Sequence, residues 1–232
     1  MNRRMGNLRL LACVPLLMTV TGCAQLSVHP DSEGWDDLFA RDFSNAEVKS
    51  GTWKFDEEGC LTPVATNMIF TKASDWSNFE IDTVYAMGPN GNSGIFIYDT
   101  EHPAKKIEVQ LSDDTDPECW QQAPYQWSGA LYGHQYAFAK VGKGPGEWNR
   151  LTIRAAGKHV QVWLNGVKTA DANLDDWTSN KKNPDGTWMP SYQRDQVAWK
   201  DIPTTGKIGL QGIHGKTGVR FRYLRIRRLC VR

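Results

Sequence analysis

The chain has 232 residues, and its chemically capable side chains cluster on four short segments. In Lys106-Ile107-Glu108-Val109-Gln110-Leu111, apolar and polar residues alternate. Ile107, Val109 and Leu111 then share one face of a strand, while Glu108 and Gln110 project together from the other, about 7 Å apart. If that face is concave the pair reaches into a groove; if it is an outer face the pair is solvated. In Gly129-Ala130-Leu131-Tyr132-Gly133-His134, Tyr132 and His134 share a face, and the flanking glycines let a ligand or a backbone approach closely. In the segment 206–215, Ile208 and Leu210 are core positions, Gln211 points the other way, and His214 sits in a glycine-rich turn. Gly91-Asn92-Ser93-Gly94 is a tight turn feeding the apolar run Ile95-Phe96-Ile97-Tyr98. Carboxylate and imidazole are the groups that transfer protons near neutral pH, and amides and phenols hydrogen-bond polar ligands. A structural histidine or a solvated Glu/Gln pair has the same local signature.

The elements that must hold these residues are strands. Phe79-Glu80-Ile81-Asp82-Thr83-Val84-Tyr85 alternates with period 2, as do Leu151-Thr152-Ile153-Arg154 and His159-Val160-Gln161-Val162-Trp163-Leu164. The last of these runs into Asn165-Gly166, a strong hairpin signal, and Ala156-Gly157-Lys158 before it makes a second turn, which gives a meander. The segment 219–227 alternates until Tyr223-Leu224, where the phase slips by one and predicts a β-bulge. No window keeps a 3.6-residue period over three turns. Ten to thirteen short strands are expected, which makes a single all-β sandwich or jelly roll. Residues 171–203 break the rhythm with Trp177, Trp188 and Trp199 among polar, Gly and Pro residues, the mark of a long functional loop.

Composition narrows the function. With 27 Lys+Arg against 26 Asp+Glu, net charge gives no argument for a nucleic-acid partner. HExxH, GxSxG, P-loop and CxxC patterns do not occur, so zincin, α/β-hydrolase, nucleotide and cysteine–zinc readings have no support. The arginines near the C-terminus alternate with apolar residues and read as a solvated strand face. Ten tryptophans indicate either a well-stocked core or exposed stacking platforms.

The N-terminus reads as an export signal. Arg3, Arg4 and Arg9 precede the apolar run Leu10 to Val20, which is too short for the roughly 20 residues that span a bilayer. Val20-Thr21-Gly22-Cys23 resembles the lipobox of bacterial lipoproteins. That resemblance implies lipidation of Cys23, with membrane attachment through the lipid anchor alone and a place in the cell envelope, at the outer membrane because Ala24 and not Asp follows the cysteine. Three segments are expected: a signal peptide 1–22, a tether 23–34 and a domain 35–232. Loss of residues 1–22 leaves 210 residues, with 24 basic against 26 acidic, a net charge of −2. Cys60, Cys119 and Cys230 then remain, enough for at most one disulfide.

The four segments occur together, in order, in a known family. Gly91-Asn92-Ser93-Gly94-Ile95-Phe96, Glu108-Val109-Gln110-Leu111, Gly129-Ala130-Leu131-Tyr132-Gly133, Gly146-Glu147-Trp148-Asn149, Leu164-Asn165-Gly166, Gly209-Leu210-Gln211 through His214-Gly215, and Val219-Arg220-Phe221-Arg222 resemble the 3-keto-disaccharide hydrolase family over nearly all of residues 35–229. Two departures concern the substrate. Family members often carry an Arg where this chain has Tyr98-Asp99, and Gln-Asp-His-Gly where it reads Gln211-Gly212-Ile213-His214.

The resemblance implies a concanavalin-like jelly roll and an enzyme that cleaves 3-keto-glycosides. A ketone at C3 acidifies the C2 hydrogen, a base removes it, and the enolate expels the C1 oxygen. Such a site needs a base, a stabiliser for the enolate and a donor for the leaving group. Glu108 and His134 are the expected proton-transfer pair or ligands of a divalent metal ion, with His214 as a third catalytic residue. Asn92, Tyr98, Gln110, Tyr132 and Gln211 are the expected substrate-binding residues, with Trp120, Trp127 and Trp188 at the groove rim. A non-catalytic carbohydrate-binding module would use the same groove without needing the Glu/His pair. A surface interaction protein acting through 171–203 would bind no carbohydrate.

Overall fold

Alternation carries through into the structure. The computed structural model describes residues 34–117, 124–194 and 197–230. Cys23, Cys119 and Trp120 lie outside them. Among the described residues there are thirteen strands: β1 (Asp36–Asp37), β2 (Ala46–Val48), β3 (Trp53–Phe55), β4 (Leu61–Pro63), β5 (Ile69–Thr71), β6 (Phe79–Met87), β7 (Asn92–Glu101), β8 (Lys105–Ser112), β9 (Trp148–Ala156), β10 (His159–Leu164), β11 (Val167–Asn173), β12 (Lys207–Leu210) and β13 (Val219–Arg228). They form two antiparallel sheets. One runs β11-β10-β9-β6-β13-β4-β3 with β1 added beside β13, and the other runs β2-β5-β12-β7-β8.

Phe79, Ile81, Ile153 and Val162 of the first sheet and Ile95, Ile107, Val109 and Leu210 of the second are fully buried members of one core. Each contributes about 1.5–3 kcal/mol by leaving water. The β10–β11 hairpin turns at Asn165 and Gly166, with φ of 52° and 82°. Two positive φ values in succession are what a type I′ turn requires and what an Asn-Gly pair tolerates. In β13 the register against β6 shifts between Arg222 and Arg225, with Tyr223 at φ 53°, so the expected bulge is present.

The tryptophans divide between both compositional readings. Trp53, Trp177 and Trp199 are core residues. Trp35, Trp76 and Trp148 are platforms for the protein's own arginines, with Arg227, Arg228 and Arg222 lying 4.6, 4.4 and 4.1 Å from the respective ring centroids. Cys60 and Cys230 are free thiols.

Candidate active site

The second sheet carries the site because of its register. Asn92 pairs with Ser112, Gly94 with Gln110 and Phe96 with Glu108, whereas Ile95 pairs with Val109 and Ile97 with Ile107. Paired residues point to the same side, so the polar set faces away from the core that the isoleucines fill. Residues 129–132 extend the sheet beyond β8. Gly129 N donates to Gln110 O at 2.9 Å, Gln110 N to Ala130 O at 3.0 Å, and Tyr132 N to Glu108 O at 2.9 Å. Leu131 bridges Val109, which leaves Tyr132 on the side of Glu108 and Gln110. On the opposite flank, Gln211 N donates to Gly94 O at 2.9 Å and His214 N to Asn92 O at 3.2 Å.

Four of the expected residues come together in this way. Asn92, Gln110, Tyr132 and His214 line one open groove of about 480 Å³, together with Asp116 and Lys216. Gln110 Nε2 donates to Asn92 Oδ1 at 3.1 Å, which fixes both amides at the groove floor. His214 is exposed at its edge. Gln211 is beside it through the backbone, and its side-chain Oε1 is buried without a hydrogen-bond partner.

Glu108 lies one strand pair beyond Gln110 and is buried, so the outward face of β8 is not a solvated one. Its Oε2 accepts from Lys106 Nζ at 2.9 Å, with both side chains only 7–8% exposed. Lys106 Nζ also sits 4.4 Å above the Phe96 ring. Gly94 makes room for the carboxylate, since a Cβ there would lie 2.5 Å from Glu108 Oε1. His134 is buried as well. Its ring stacks on Trp199 with centroids 3.9 Å apart, and its Nδ1 lies 3.0 Å from Tyr132 O. A carbonyl can only accept, so Nδ1 carries the proton and Nε2 is the lone-pair acceptor. Burial pushes the imidazole pKa down to about 4, the Lys106 charge adds to this, and the Tyr132 carbonyl opposes it. His134 is therefore neutral at pH 7. Glu108 and His134 share Lys106 as neighbour, whereas His214 belongs to the Asn92 end of the groove.

Three expectations need correction or relocation. Tyr98 is not in the groove: it is fully buried in the core, its ring 5.8 Å from Phe79, and its hydroxyl donates towards Ser77 O and Gly157 O, both at 2.8 Å. The cause is a register shift in β7 between Ile97 and Glu101, where Tyr98 takes φ 54° and turns inward. Glu108 and His134 are not joined by a third metal-ligating side chain among the described residues. The Glu108 carboxylate is already held by a cation. Trp127 and Trp188 do not line the groove. Trp127 is half-buried with Lys140 Nζ 5.7 Å from its ring centroid, and Trp188 is exposed with Lys182 Nζ and Arg194 Cζ at 4.8 and 5.2 Å from its centroid. Sequence reasoning missed Lys106 and Trp199. For Lys106 the signal was present, because it stands two residues before Glu108 on an alternating strand; for Trp199 nothing local marked it.

Comparison with known proteins places this architecture. Among curated proteins, none matches the chain. Two crystal structures from Parabacteroides distasonis, each described as a candidate glycosyl hydrolase, are similar to it. The first is 38% identical with a TM-score of 0.80, over 84% of this chain and 99% of that one. The second is 26% identical with a TM-score of 0.69, over 85% and 95%. A Bacillus subtilis protein of unknown function with a galectin-like fold shares the fold alone, at 11% identity and TM-score 0.52, over 85% of this chain and 96% of that one. The model of the 3-keto-α-glucoside-1,2-lyase-like domain matches residues 31–227, and the chain belongs to that family.

Proposed function

We infer that the groove binds a 3-keto-glycoside and that Glu108 removes its C2 proton. The observation that carries this reading is the buried Lys106–Glu108 pair beside a groove lined by Asn92, Gln110, Tyr132 and His214. The C2–H electrons form the C2=C3 enolate as the proton passes to Glu108. Collapse of the enolate restores the C3 ketone, forms C1=C2 and breaks the C1–O bond. A proton then goes to the leaving oxygen, and addition of water at C1 makes the net reaction a hydrolysis. When Glu108 takes the proton, its negative charge moves to the enolate oxygen, and the Lys106 ammonium is the cation placed to follow it. His134 is neutral at pH 7, with Nδ1 committed to Tyr132 O, and serves as a neutral acceptor through Nε2.

Burial of Glu108 beneath its own ion pair is also what a non-catalytic carbohydrate-binding domain would show. Incubating the domain with a methyl 3-keto-glucoside and with the parent methyl glucoside separates the two. The enzyme releases methanol from the keto sugar only, and binding without release supports the module. The export signal and lipobox support the further proposal that Cys23 is lipidated and holds the domain at the cell envelope. Cys23→Ala then moves the protein from the membrane fraction to the soluble fraction.

A further inference from the structure

An aromatic row leads away from the polar groove. Tyr132, at the groove wall, meets the Tyr125 ring edge-on at 6.5 Å, and Tyr125 stacks on Tyr136 at 5.6 Å. Tyr136 in turn lines a second cleft of about 290 Å³ with His134, Phe138, Trp177, Asn183 and Pro184. Two of these walls are unusual for a domain that buries most of its large apolar side chains. Phe138 is 58% exposed and Tyr136 38%. The segment that presents them is fixed rather than loose. The Gln135 amide is clamped to the backbone of Asp171, donating to its O and accepting from its N, both at 3.0 Å, and Phe138 N donates to Thr169 O at 2.9 Å.

Most of the polar groups in the cleft are engaged inside the protein. Asn183 Oδ1 accepts from Trp177 Nε1 at 3.2 Å and its Nδ2 donates to Thr187 Oγ1 at 3.3 Å. Asp185 Oδ1 accepts from the N and the hydroxyl of Thr187 at 2.9 and 2.6 Å. The Gln135 amide is used at both ends, and His134 Nδ1 is used by Tyr132 O. A second sugar ring here would find few free partners for its hydroxyls, and each one buried unpaired costs about 1–3 kcal/mol. A flat apolar ring suits walls formed by Phe138 and Tyr136, because aromatic faces favour offset and edge contacts. The volume is at the small end of ligand pockets, roughly 300–1,000 Å³, and suits one such ring.

The geometry points to an aryl-aglycone subsite: the polar groove takes the sugar and the Tyr136–Phe138 cleft takes a phenyl or phenol leaving group. Aryl glycosides are thus the favoured substrate class. The link to turnover rests on the reaction proposed above, while the binding preference does not.

Two measurements test it together. Calorimetry compares phenyl and methyl α-glucosides, which cannot react, and kinetics compares the corresponding 3-keto forms. The phenyl compound binds about tenfold or more better than the methyl one, and because phenoxide is intrinsically the better leaving group, the kcat/KM ratio of the keto forms is read by its change on substitution of Phe138. Phe138→Ala collapses that aryl-to-methyl ratio and Phe138→Trp restores it, with thermal melts of both variants confirming the fold. Equal binding and equal rates for phenyl and methyl compounds overturn the subsite, as does a ratio that Phe138→Ala leaves unchanged. Phe138-dependent phenyl binding without turnover of either keto sugar keeps the subsite and overturns the reaction.

Discussion

Lys106 Nζ lies 2.9 Å from Glu108 Oε2, with both side chains on one face of a single strand and both nearly shut off from water. Removing one partner of such a pair leaves a buried charge alone, which costs about 3–5 kcal/mol. Lys106→Met is therefore expected to destabilise the domain by that order in urea unfolding. The double variant Lys106→Met, Glu108→Gln recovers much of the loss. A single variant as stable as the parent would show that the pair is solvated.

Gly94 is the second element of this arrangement. Gly94→Ala puts a methyl group 2.5 Å from Glu108 Oε1, against neighbours that include the Glu108 Cγ at 2.9 Å. The carboxylate must move or the strands must part, at about 1–3 kcal/mol. The expected result is a fall in kcat larger than the change in KM, because the displaced group is the proposed base. An unchanged kcat would place the reacting carboxylate elsewhere.

The sequence reading and the structure part company at specific residues. β9, β10 and β13 were legible because one face of each is buried and the other is more open, so alternation is written in the residue types, whereas β6 is buried on both faces and alternates in residue type only at its start. Asn165-Gly166 and the phase slip at Tyr223 were legible for a similar reason, since both are backbone demands that few residues meet. Tyr98 was not. In Ile95-Phe96-Ile97-Tyr98 every residue is apolar, so nothing marks where alternation stops, and the shift after Ile97 reverses the face. In the segment 171–203, Trp177 and Trp199 turn inward and Trp188 outward, without any period to say which. Lys106 read as an ordinary polar strand residue, because its burial comes from segments distant in sequence.

The inward position of Tyr98 can be checked directly. Its hydroxyl is the partner of two carbonyls, of Ser77 and Gly157. Tyr98→Phe leaves both unpaired and is expected to cost about 1–3 kcal/mol in thermal or urea unfolding. KM for the keto sugar stays at the parent value, since the side chain faces the core. A raised KM with unchanged stability would put Tyr98 back at the substrate.

His134 predicts the pH behaviour. Its pKa falls from an ordinary 6.5 to about 4 in the folded protein, chiefly through burial. Between those values the unfolded chain binds a proton that the native state refuses. The stability it contributes is complete above pH 6.5 and is lost as pH falls towards 4, by on the order of 3 kcal/mol. His134→Phe keeps a ring against Trp199 and should lose stability less steeply over that window. Parallel curves for the two proteins would show that the imidazole is not desolvated.

Proton removal by Glu108 stands or falls on the turnover of a methyl 3-keto-α-glucoside by Glu108→Gln. The glutamine keeps the shape and a hydrogen-bonding oxygen but cannot take the proton. Methanol release is expected to fall by about 100-fold or more, with thermal melting confirming a folded variant. A folded Glu108→Gln protein that releases methanol at the parent rate would contradict proton removal by Glu108.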